Sequence, residues 1–508
     1  MLKKISYFLL VLSVAKLSGF LRDVILSYQF GASNISDAYL VSLTIPGSIF
    51  AFIGIAIKAV YIPSYIKTET NKGSNEANMY SYRLTSALSV VSFFLIVLSW
   101  IFARQIVFAY ASGFDEETAD ICVFLTRLNL LTLVLLSVEY VNEALLQAKG
   151  QYAISEFNAL PANIIIIISF YCISSFGVVF FSIGKILSVV AQLIITFTFL
   201  AVRFKYRFKF QTNLSSIWKD KEIRSSLKRV VPVVVSTSGN EINKLVDRSV
   251  ASSITVGGIS SLVYANRLNA LVTEICVNSI VTIQYPRISE CSSKNDILGL
   301  KKEVSNSLLF MFFFLLPATA IMILFPKEII TFVYGHGAGI SAVENASACF
   351  YFYSFGILAV GIREILIRVF YSLGNTRTPA KIALIGICMN IVGDFVLTYL
   401  IGFGGLALST SIASIFVMAV DYLLLKRRLP WILESLNFVE VLKLLATTIA
   451  VSSFAYYSFK FVGEYVNSSL SLITTIALMC ILYIGILYTL KSPVVQGLNG
   501  LIAKLKSR

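Results

Sequence analysis

Long apolar stretches dominate this sequence and limit the folds that it can adopt. An α-helix needs about 20 mostly apolar residues to cross the roughly 30 Å hydrocarbon core of a bilayer. About fourteen stretches reach that length, and they are numbered here as spans 1–14: 6–29, 37–66, 80–109, 118–147, 154–174, 177–203, 226–254, 260–286, 304–333, 343–373, 380–401, 404–426, 438–461 and 469–490. Hydrophobic residues fill 57% of the 508 positions and charged residues only 14%, which excludes a soluble globular protein. The sequence therefore predicts an all-α polytopic membrane protein.

The spans form an internal repeat. Pro63 and Gly150 lie 87 residues apart in the first half, and Pro286 and Gly374 lie 88 residues apart in the second. Each of these residues is expected to close a hydrophobic span, which gives two halves of six spans in one orientation. We therefore predict two six-helix lobes in parallel repeat plus two extra C-terminal helices. Lobes of this kind flank a central pathway in many transporters.

The repeat divides the chain into four predicted segments. They are an N-lobe at 1–203 with spans 1–6, a cytoplasmic amphipathic connector at 204–225, a C-lobe at 226–428 with spans 7–12, and spans 13–14 at 429–508. The connector begins with FKYRFKF, whose alternating aromatic and basic residues predict rings in the lipid headgroup layer and cations facing anionic lipid. The last two spans lie outside the repeat, so we expect them to modify access or assembly.

The net charge of +15 is explained by topology and does not require a nucleic-acid partner. Basic residues fall in alternate connections between spans, including the run from Arg203 to Arg229, whereas the opposite loop at 113–117 is acidic. Since cytoplasmic loops carry the excess of Lys and Arg, both termini are predicted to be cytoplasmic and the number of spans to be even.

The sequence offers no catalytic or structural metal motif. Seven cysteines are scattered without a CxxC pair, and His336 is the single histidine. No Walker loop, GxGxxG or GxSxG motif is present. We therefore predict no disulfide framework, no zinc site and no enzymatic activity. Transport would then depend on an ion gradient, the membrane potential or the gradient of the substrate itself.

Several cationic side chains lie inside predicted spans, where an ionised group costs at least about 2.5 to 3.5 kcal/mol. They are Lys16 and Arg22 in span 1, Lys58 in span 2, Arg267 in span 8, and Arg363 and Arg368 in span 10. Because guanidinium groups match phosphate oxygens, this set predicts a cationic cavity for a phosphate-bearing substrate. Internal salt bridges, of Arg22 with Asp37 or Arg363 with Glu139, are the alternative.

A second set of polar residues predicts a cation site. Asn390 and Asp394 lie four residues apart in span 11, as do Leu406 and Thr410 in span 12, so each pair shares a helix face. Asp247 of span 7 is expected at a similar depth. Carboxylate, amide, hydroxyl and carbonyl oxygens together suit a hard cation such as sodium. The alternative is that Asp247 pairs with Arg248 and that Asn390 bonds between helices.

Several motifs resemble those of a known transporter family. They are GFLRDVILSYQFGASNISDAY at 19–39, GFDEETADICVFLTR at 113–127, LVDRSVAS and YANRL within 245–268, RVFYSLGNTRTPAKIAL at 368–384, and GLALSTSIAS at 405–414. Together they resemble the MurJ/MviN family of lipid II flippases, which belongs to a superfamily with multidrug antiporters and O-antigen flippases. The resemblance implies fourteen helices in two lobes around a central cationic cavity. It also implies that spans 13 and 14 form a groove for a polyprenyl tail.

The resemblance also implies roles for individual residues. Arg22, Asp23, Asp37 and Arg267 match functional positions of the family, and Asp247, Asn390, Asp394, Leu406 and Thr410 match its sodium site. Span 2 departs from the family pattern, since IPGSIFAFIGIAIKA at 45–59 replaces an element with two arginines and leaves only Lys58. In span 1, Ala15 and Lys16 replace a Ser-Arg pair.

The predicted function is that of a flippase for a polyprenyl-pyrophosphate-linked cell-wall precursor, lipid II, which serves peptidoglycan biosynthesis and cell shape. It would move this lipid from the inner to the outer leaflet of the bacterial cytoplasmic (inner) membrane by alternating access, coupled to a cation or to the membrane potential. We expect a monomer that contacts the lipid-linked glycan, membrane lipids and cell-wall synthesis enzymes, with bound Na⁺ as the sole ligand besides substrate. A flippase for another undecaprenyl-linked polysaccharide unit, a multidrug/cation antiporter and a non-transporting scaffold are the alternatives.

Overall fold

The computed structural model describes residues 2–211, 221–432, 436–464 and 466–496. Side chains within 2–10, and most of those within 51–59 and 221–238, lie outside this description. The described residues form helices joined by short turns and contain no strand. The predicted all-α class is therefore confirmed.

The first half contains nine helices within its described residues. They are α1 (Leu2–Phe30), α2 (Asn34–Lys72), α3 (Ser74–Ile101), α4 (Ala103–Tyr110), α5 (Glu116–Leu130), α6 (Thr132–Ala148), α7 (Tyr152–Phe157), α8 (Ala159–Phe176) and α9 (Val179–Phe204). The capping box between Ser33 and Ser36 starts α2, because each side chain accepts a bond from the backbone N–H of the other. Glycine at position 31 has φ 64°, and this left-handed conformation allows the tight turn between α1 and α2.

The second half repeats this order. Its described helices are α10 (Lys221–Ile254), α11 (Gly258–Val272), a π-helical turn (Thr273–Asn278), α12 (Ser279–Ser293), α13 (Ile297–Leu324), α14 (Pro326–Ala338), α15 (Ile340–Ser372), α16 (Arg377–Ile401) and α17 (Gly405–Arg428). Two further helices, α18 (Phe438–Gly463) and α19 (Ser468–Thr489), follow. They pack on each other, and α18 packs on α13. From α19, the Tyr483 hydroxyl donates to the Phe313 carbonyl of α13 at 3.1 Å.

The two halves share their turns as well as their helix order. Gly150 follows α6 and Gly374 follows α15, and both have φ 74°. The next residue donates its backbone N–H back into the helix in both cases, from Gln151 to Leu146 at 2.8 Å and from Asn375 to Phe370 at 2.9 Å. A helix closed in this way needs a residue that tolerates the left-handed conformation. The repeat predicted from these two glycines is thus present in the local structure.

The repeated prolines do not end helices. Pro63 lies inside α2, which continues to Lys72, and Pro286 lies inside α12. A proline removes one helical hydrogen bond but does not end a helix when neighbouring groups compensate. Glycine, not proline, marks the helix ends in both halves.

The structure divides into two compact units, Met1–Ser260 and Ser261–Arg508. Helix α10, predicted as the first span of the C-lobe, belongs to the first unit, where it packs on α2. Within the described residues, eight helical stretches are long and apolar enough to span a membrane, or nine if α5 and α6, bent by 43°, count as one. The chain is thus a multi-pass membrane protein, and the count of fourteen stays a prediction.

The connector after α9 differs from its predicted form where it is described. Tyr206 is buried and packs against Tyr82 of α3, with ring centroids 5.3 Å apart, and Phe208 contacts the same ring. Tyr206 and Phe208 therefore contact protein, because the chain folds back over α3 directly after Lys205 turns left-handed at φ 54°, whereas Phe210 is exposed. Residues 212–220 of the predicted connector lie outside the described residues.

Candidate functional site

Arg22 is held on α1 by polar groups of the first unit. Its Nε and Nη2 donate to Oδ1 of Asp23 at 3.0 and 2.7 Å, and its Nη1 donates to Oδ1 of Asn163 on α8 at 3.2 Å. Asn163 in turn donates to the Ser18 hydroxyl at 2.9 Å. The guanidinium is therefore fixed between two helices, and its carboxylate partner is Asp23 rather than Asp37.

Asp37 has a structural partner that the sequence did not suggest. Its carboxylate is buried and accepts from the backbone N–H of Ser260 at 2.7 Å and of Ile259 at 3.3 Å. The Ser260 hydroxyl donates to the same carboxylate. These groups form the first turn of α11, where free N–H groups favour a negative charge. Asp37 thus ties α2 to the start of the helix that carries Arg267.

For the other predicted cations of spans 1, 2 and 8, the structure gives at most the exposure of the side chain. Lys16 is exposed on α1, and Arg267 is half-buried on α11. The side chain of Lys58 lies outside the described part of α2. Arg22 belongs to the first unit and Arg267 to the second, so their convergence on one cavity stays a prediction.

The two arginines of span 10 have acidic partners. Nε of Arg363 donates to Oδ2 of Asp421 on α17 at 2.8 Å, and Asp421 is fully buried. Arg368 pairs with Glu364 at 3.2 Å, and its guanidinium lies over the Tyr285 ring at 5.5 Å. The alternative of internal salt bridges therefore describes these residues, although Asp421 replaces the expected Glu139.

Glu139 takes part in a different network in the first unit. It accepts hydrogen bonds from Asn158 at 2.5 Å and from the Thr196 hydroxyl at 3.0 Å. Asn142 donates to Thr196 at 3.3 Å. The alternative pairing of Arg363 with Glu139 is therefore replaced by the pair of Arg363 with Asp421.

The predicted residues of spans 11 and 12 converge between α16 and α17. Nδ2 of Asn390 donates to Oδ1 of Asp394 at 3.3 Å and to the Thr410 hydroxyl at 3.3 Å. The Thr410 hydroxyl donates to the Leu406 carbonyl at 3.1 Å. Asp394 is fully buried. Four of the five predicted sodium ligands therefore share one cluster.

Ser409 completes this cluster and was missed by the sequence analysis. Its hydroxyl donates to Oδ1 of Asp394 and to the Leu406 carbonyl, and it accepts from Asn390 at 2.8 Å. Ser409 lies three residues after Leu406 and therefore on the same helix face as Leu406, which was the available signal. Asn390 also bonds between helices, as the alternative proposed.

Asp247 belongs to the first unit, whereas the other four predicted ligands belong to the second. It accepts from Asn243 at 3.3 Å. The neighbouring Arg248 reaches α2, where it donates to the Leu40 carbonyl at 2.9 Å and to the Thr44 hydroxyl. Among the described residues, no group of three or more His, Cys, Asp or Glu side chains could hold a metal ion. The α16–α17 cluster is different, since it combines one carboxylate with neutral oxygens.

The two clusters offer opposite chemistry. The Arg22 cluster presents a rigid guanidinium, which suits phosphate oxygens. The Asp394 cluster presents a buried carboxylate, two hydroxyls and a carbonyl beside the Asn390 amide, and oxygens of these kinds suit a hard cation.

Comparison with known proteins places this fold and these motifs in one family. The sequence model described as lipid II flippase MurJ matches residues 26–476. The protein "Probable lipid II flippase MurJ" of Rickettsia prowazekii is 26% identical over 417 residues, which cover 80% of each chain. Its namesake in Thermotoga maritima is 25% identical over 418 residues, which cover 82% of this chain and 83% of that protein.

Solved structures show the same fold. A structure of lipid II flippase MurJ in an inward closed conformation matches with a TM-score of 0.80 at 21% identity, over 94% of this chain and 97% of that one. An inward-facing multidrug resistance MATE transporter of the MOP superfamily matches with a TM-score of 0.71 at 13% identity, over 84% and 99%. The family match extends over most of the sequence, and the chain therefore belongs to the lipid II flippase MurJ family.

Proposed function

We propose that this protein is a flippase for lipid II, the polyprenyl-pyrophosphate-linked precursor of peptidoglycan. It moves the lipid from the inner to the outer leaflet of the bacterial cytoplasmic membrane, with both termini in the cytoplasm. The observation that carries the proposal is the family match over residues 26–476, together with the fixed Arg22 cluster inside the first unit. Flippases are transporters, and family membership confirms that the chain is not an enzyme.

The anionic headgroup is the part of the substrate that the protein recognises in this proposal. Arg22 already forms hydrogen bonds with Asp23 and Asn163, so its orientation requires little further ordering when the substrate binds. A preorganised guanidinium loses less conformational entropy on binding a phosphate than a free one. We expect Arg267 to contact the same headgroup, while the polyprenyl tail stays in the bilayer beside α18 and α19.

Transport by alternating access follows from the repeat of two lobes in this proposal. One lobe would rock against the other around the bound headgroup. Cation binding can drive this cycle only through a difference in affinity between the two states. The same limit applies to coupling by the membrane potential, which acts on charges that move across the field.

The Asp394 cluster is proposed to bind sodium. Its oxygens fit the ion, since the buried carboxylate supplies one negative charge and Ser409, Thr410 and the Leu406 carbonyl supply neutral oxygens. Asn390 donates its amide N–H groups to this cluster, so its side-chain amide would turn to offer its oxygen to the ion. Asp247 is the further ligand that the resemblance implies. Bound sodium would neutralise Asp394 between α16 and α17. The affinity of the cluster for sodium would then depend on how α16 and α17 are packed in each transport state.

One observation favours an alternative substrate. Span 2 contains no arginine between Ile45 and Ala59, so part of the expected contact with the headgroup is missing. The alternative function is a flippase for another undecaprenyl-linked polysaccharide unit, which has the same pyrophosphate and a different glycan.

Complementation tests the proposed substrate. The gene is expressed in a bacterial strain depleted of its lipid II flippase, and growth, cell shape and accumulated lipid II are measured. Rescue of all three is expected for the wild type. A protein that is present in the membrane at normal levels and rescues neither growth nor lipid II turnover would contradict lipid II as the substrate. Binding of other undecaprenyl-pyrophosphate glycans by that protein would then favour the alternative.

A further inference from the structure

Helix α9 carries an ionisable residue in its interior that the site described above does not use. Lys185 is half-buried, six residues after the helix begins at Val179, and the next charged residue on the helix is Arg203 in its last turn. A lysine at such a place is costly unless it serves a ligand, a partner or water. Its neighbours therefore indicate what it does.

The helix face of Lys185 points toward α1 and α2. Phe181 lies one turn before Lys185 on the same face, and its ring stacks on Tyr39 of α2 at 4.2 Å and contacts Phe30 of α1 at 5.1 Å. Arg22 and Phe30 of α1 lie beside Asn163 and Phe170 of α8, and Gly184 of α9 packs against Ser169 of α8. From Phe181, which lies at the level of Phe30, α9 therefore runs toward the level of Arg22 and brings Lys185 near its guanidinium. Two cations are thus brought together in the interior of the first unit.

The acid available to this pair is already engaged. Asp23 bonds directly to Arg22. Lys185 makes no ion pair or side-chain hydrogen bond with any residue that the structure describes. Two partly desolvated cations beside one carboxylate leave an excess positive charge, and this excess disfavours the empty site and favours a bound anion.

The internal repeat also indicates that the surroundings of Lys185 favour an anion. Ser169 packs against Gly184 between α8 and α9, and Gly393 packs against Ser409 between α16 and α17. These contacts are 224 and 225 residues apart in the sequence, as Gly150 and Gly374 are 224 apart. Lys185 therefore occupies the place of Thr410 in the cation cluster.

The residue equivalent to Asp394 in the first half is Phe170, a buried aromatic 224 residues earlier. The first half thus has a lysine where the second has a hydroxyl, and a phenyl ring where the second has a carboxylate. A position suited to a cation in one half has the opposite polarity in the other.

We propose that Lys185 and Arg22 together bind a phosphate group of the transported lipid, so that the pyrophosphate is held inside the first unit. This inference rests on the proposed function and adds a binding residue to it. The ammonium acts as a second positive charge beside the Arg22 guanidinium, and it supplies from span 6 a cation in addition to Lys58 of span 2, which contains no arginine between Ile45 and Ala59.

Binding to the purified protein in detergent tests the inference. The probes are undecaprenyl pyrophosphate and, as the uncharged control, undecaprenol. Lys185→Met keeps the length of the side chain and removes its charge, and we expect it to weaken binding of the pyrophosphate by at least about tenfold while leaving undecaprenol binding unchanged. Lys185→Arg keeps the charge and is expected to retain affinity within about threefold. Lys209→Met, on the exposed segment after α9, is the matched control and should bind as the wild type does.

The ligand-free melting temperature separates a binding lysine from a structural one. Removing a cation that repels Arg22 should leave the melting temperature unchanged or raise it, whereas loss of a structural lysine should lower it. Lys185→Gln, which keeps a polar end, provides a second test in case the Met variant is poorly produced.

Three results would overturn the assignment of Lys185. They are unchanged pyrophosphate affinity in Lys185→Met, an equal loss for undecaprenol, and an equal loss in Lys185→Arg. Failure of the proposed function is a different result, because the wild type itself would then bind the pyrophosphate no better than undecaprenol.

Discussion

Two helix pairs occupy the same place in the repeat and differ in the ions that they suit. The pair α8–α9 places Ser169 against Gly184, and α16–α17 places Gly393 against Ser409. The first pair adjoins a cluster with two cations and one acid, whereas the second encloses Asp394 among neutral oxygens. The repeat thus conserves close packing between helices, while a few side chains reverse the charge preference.

The arginines of the two units differ in a related way. Arg363 in the second unit has a fully buried carboxylate to itself. Arg22 shares its surroundings with a second cation, and its acid is the adjacent residue on the same helix. Arg363 is therefore expected to stabilise the fold, and Arg22 to bind substrate. Each prediction below tests one side of this contrast.

The largest expected effect is that of Arg22→Ala on transport. It removes the guanidinium fork from the proposed headgroup site, and the loss of two charge-assisted hydrogen bonds should lower lipid transport by about 100-fold or more. Arg22→Lys should recover only part of the activity, because an ammonium is not bidentate. Complementation at matched membrane levels measures the effect.

Arg104→Ala is the control for Arg22, since Arg104 is an exposed arginine of the same unit. It should complement as the wild type does. Full activity of Arg22→Ala would remove the first unit from the substrate path.

The next effect is on stability and belongs to the second unit. Arg363→Ala leaves the buried Asp421 without its partner, which should cost about 3 to 5 kcal/mol and lower the melting temperature markedly. Lys327→Ala, which removes one member of an exposed and distant pair, should have little effect. A stable Arg363→Ala protein with reduced substrate affinity would mean that the arginine faces the cavity, as first predicted.

The sequence predicted the helical fold and its repeat better than it predicted the hydrogen-bond and ion-pair partners of the buried polar side chains. The length of the apolar stretches and the charges of the loops were enough to predict a helical membrane protein. Gly150 and Gly374 were enough to predict the repeat. Each of these features can be read from a short stretch of sequence. Asn390, Asp394, Leu406 and Thr410 were found because they share faces of adjacent helices. Asp421 and Asn163 were not identified, since each bonds to a helix far away in sequence.

Lys185 illustrates a different kind of error. It was visible as a lone charge inside span 6, but the span was treated as an apolar element. Its meaning depends on Arg22, which lies five spans earlier in the sequence. A single charged residue inside an otherwise apolar span is therefore a candidate functional residue.

The cation side of the contrast predicts a specific response to sodium. A ligand that binds the folded state raises its melting temperature by mass action, so sodium at constant ionic strength should stabilise the protein more than potassium does. Asp394→Asn keeps the shape and removes the charge, and it should abolish this difference while leaving lipid binding at Arg22 intact. Glu344→Gln, on an exposed acid of the same unit, should keep it. If Asp394→Asn retained the full response, the cluster would be a network of interhelical hydrogen bonds and not an ion site.

The smallest effects are expected at the repeated contacts themselves. A Cβ added at Gly184 or at Gly393 would overlap the facing serine, which should cost about 1 to 3 kcal/mol in each case. Only Gly393→Ala displaces a proposed sodium ligand, Ser409, so only this variant should lose part of the sodium response. Equal sodium responses in the two alanine variants would contradict the assignment of Ser409.

The central claim is that this chain moves an anionic polyprenyl lipid between leaflets, and proteoliposomes test it most directly. Dye-labelled lipid II is incorporated with the purified protein, and a membrane-impermeant quencher reports how quickly lipid from the inner leaflet becomes accessible. We expect the wild type to expose this lipid much faster than empty liposomes do, and Arg22→Ala to behave like the empty liposomes. A wild-type rate equal to that of protein-free vesicles, in the presence of a sodium gradient and a membrane potential, would contradict the claim.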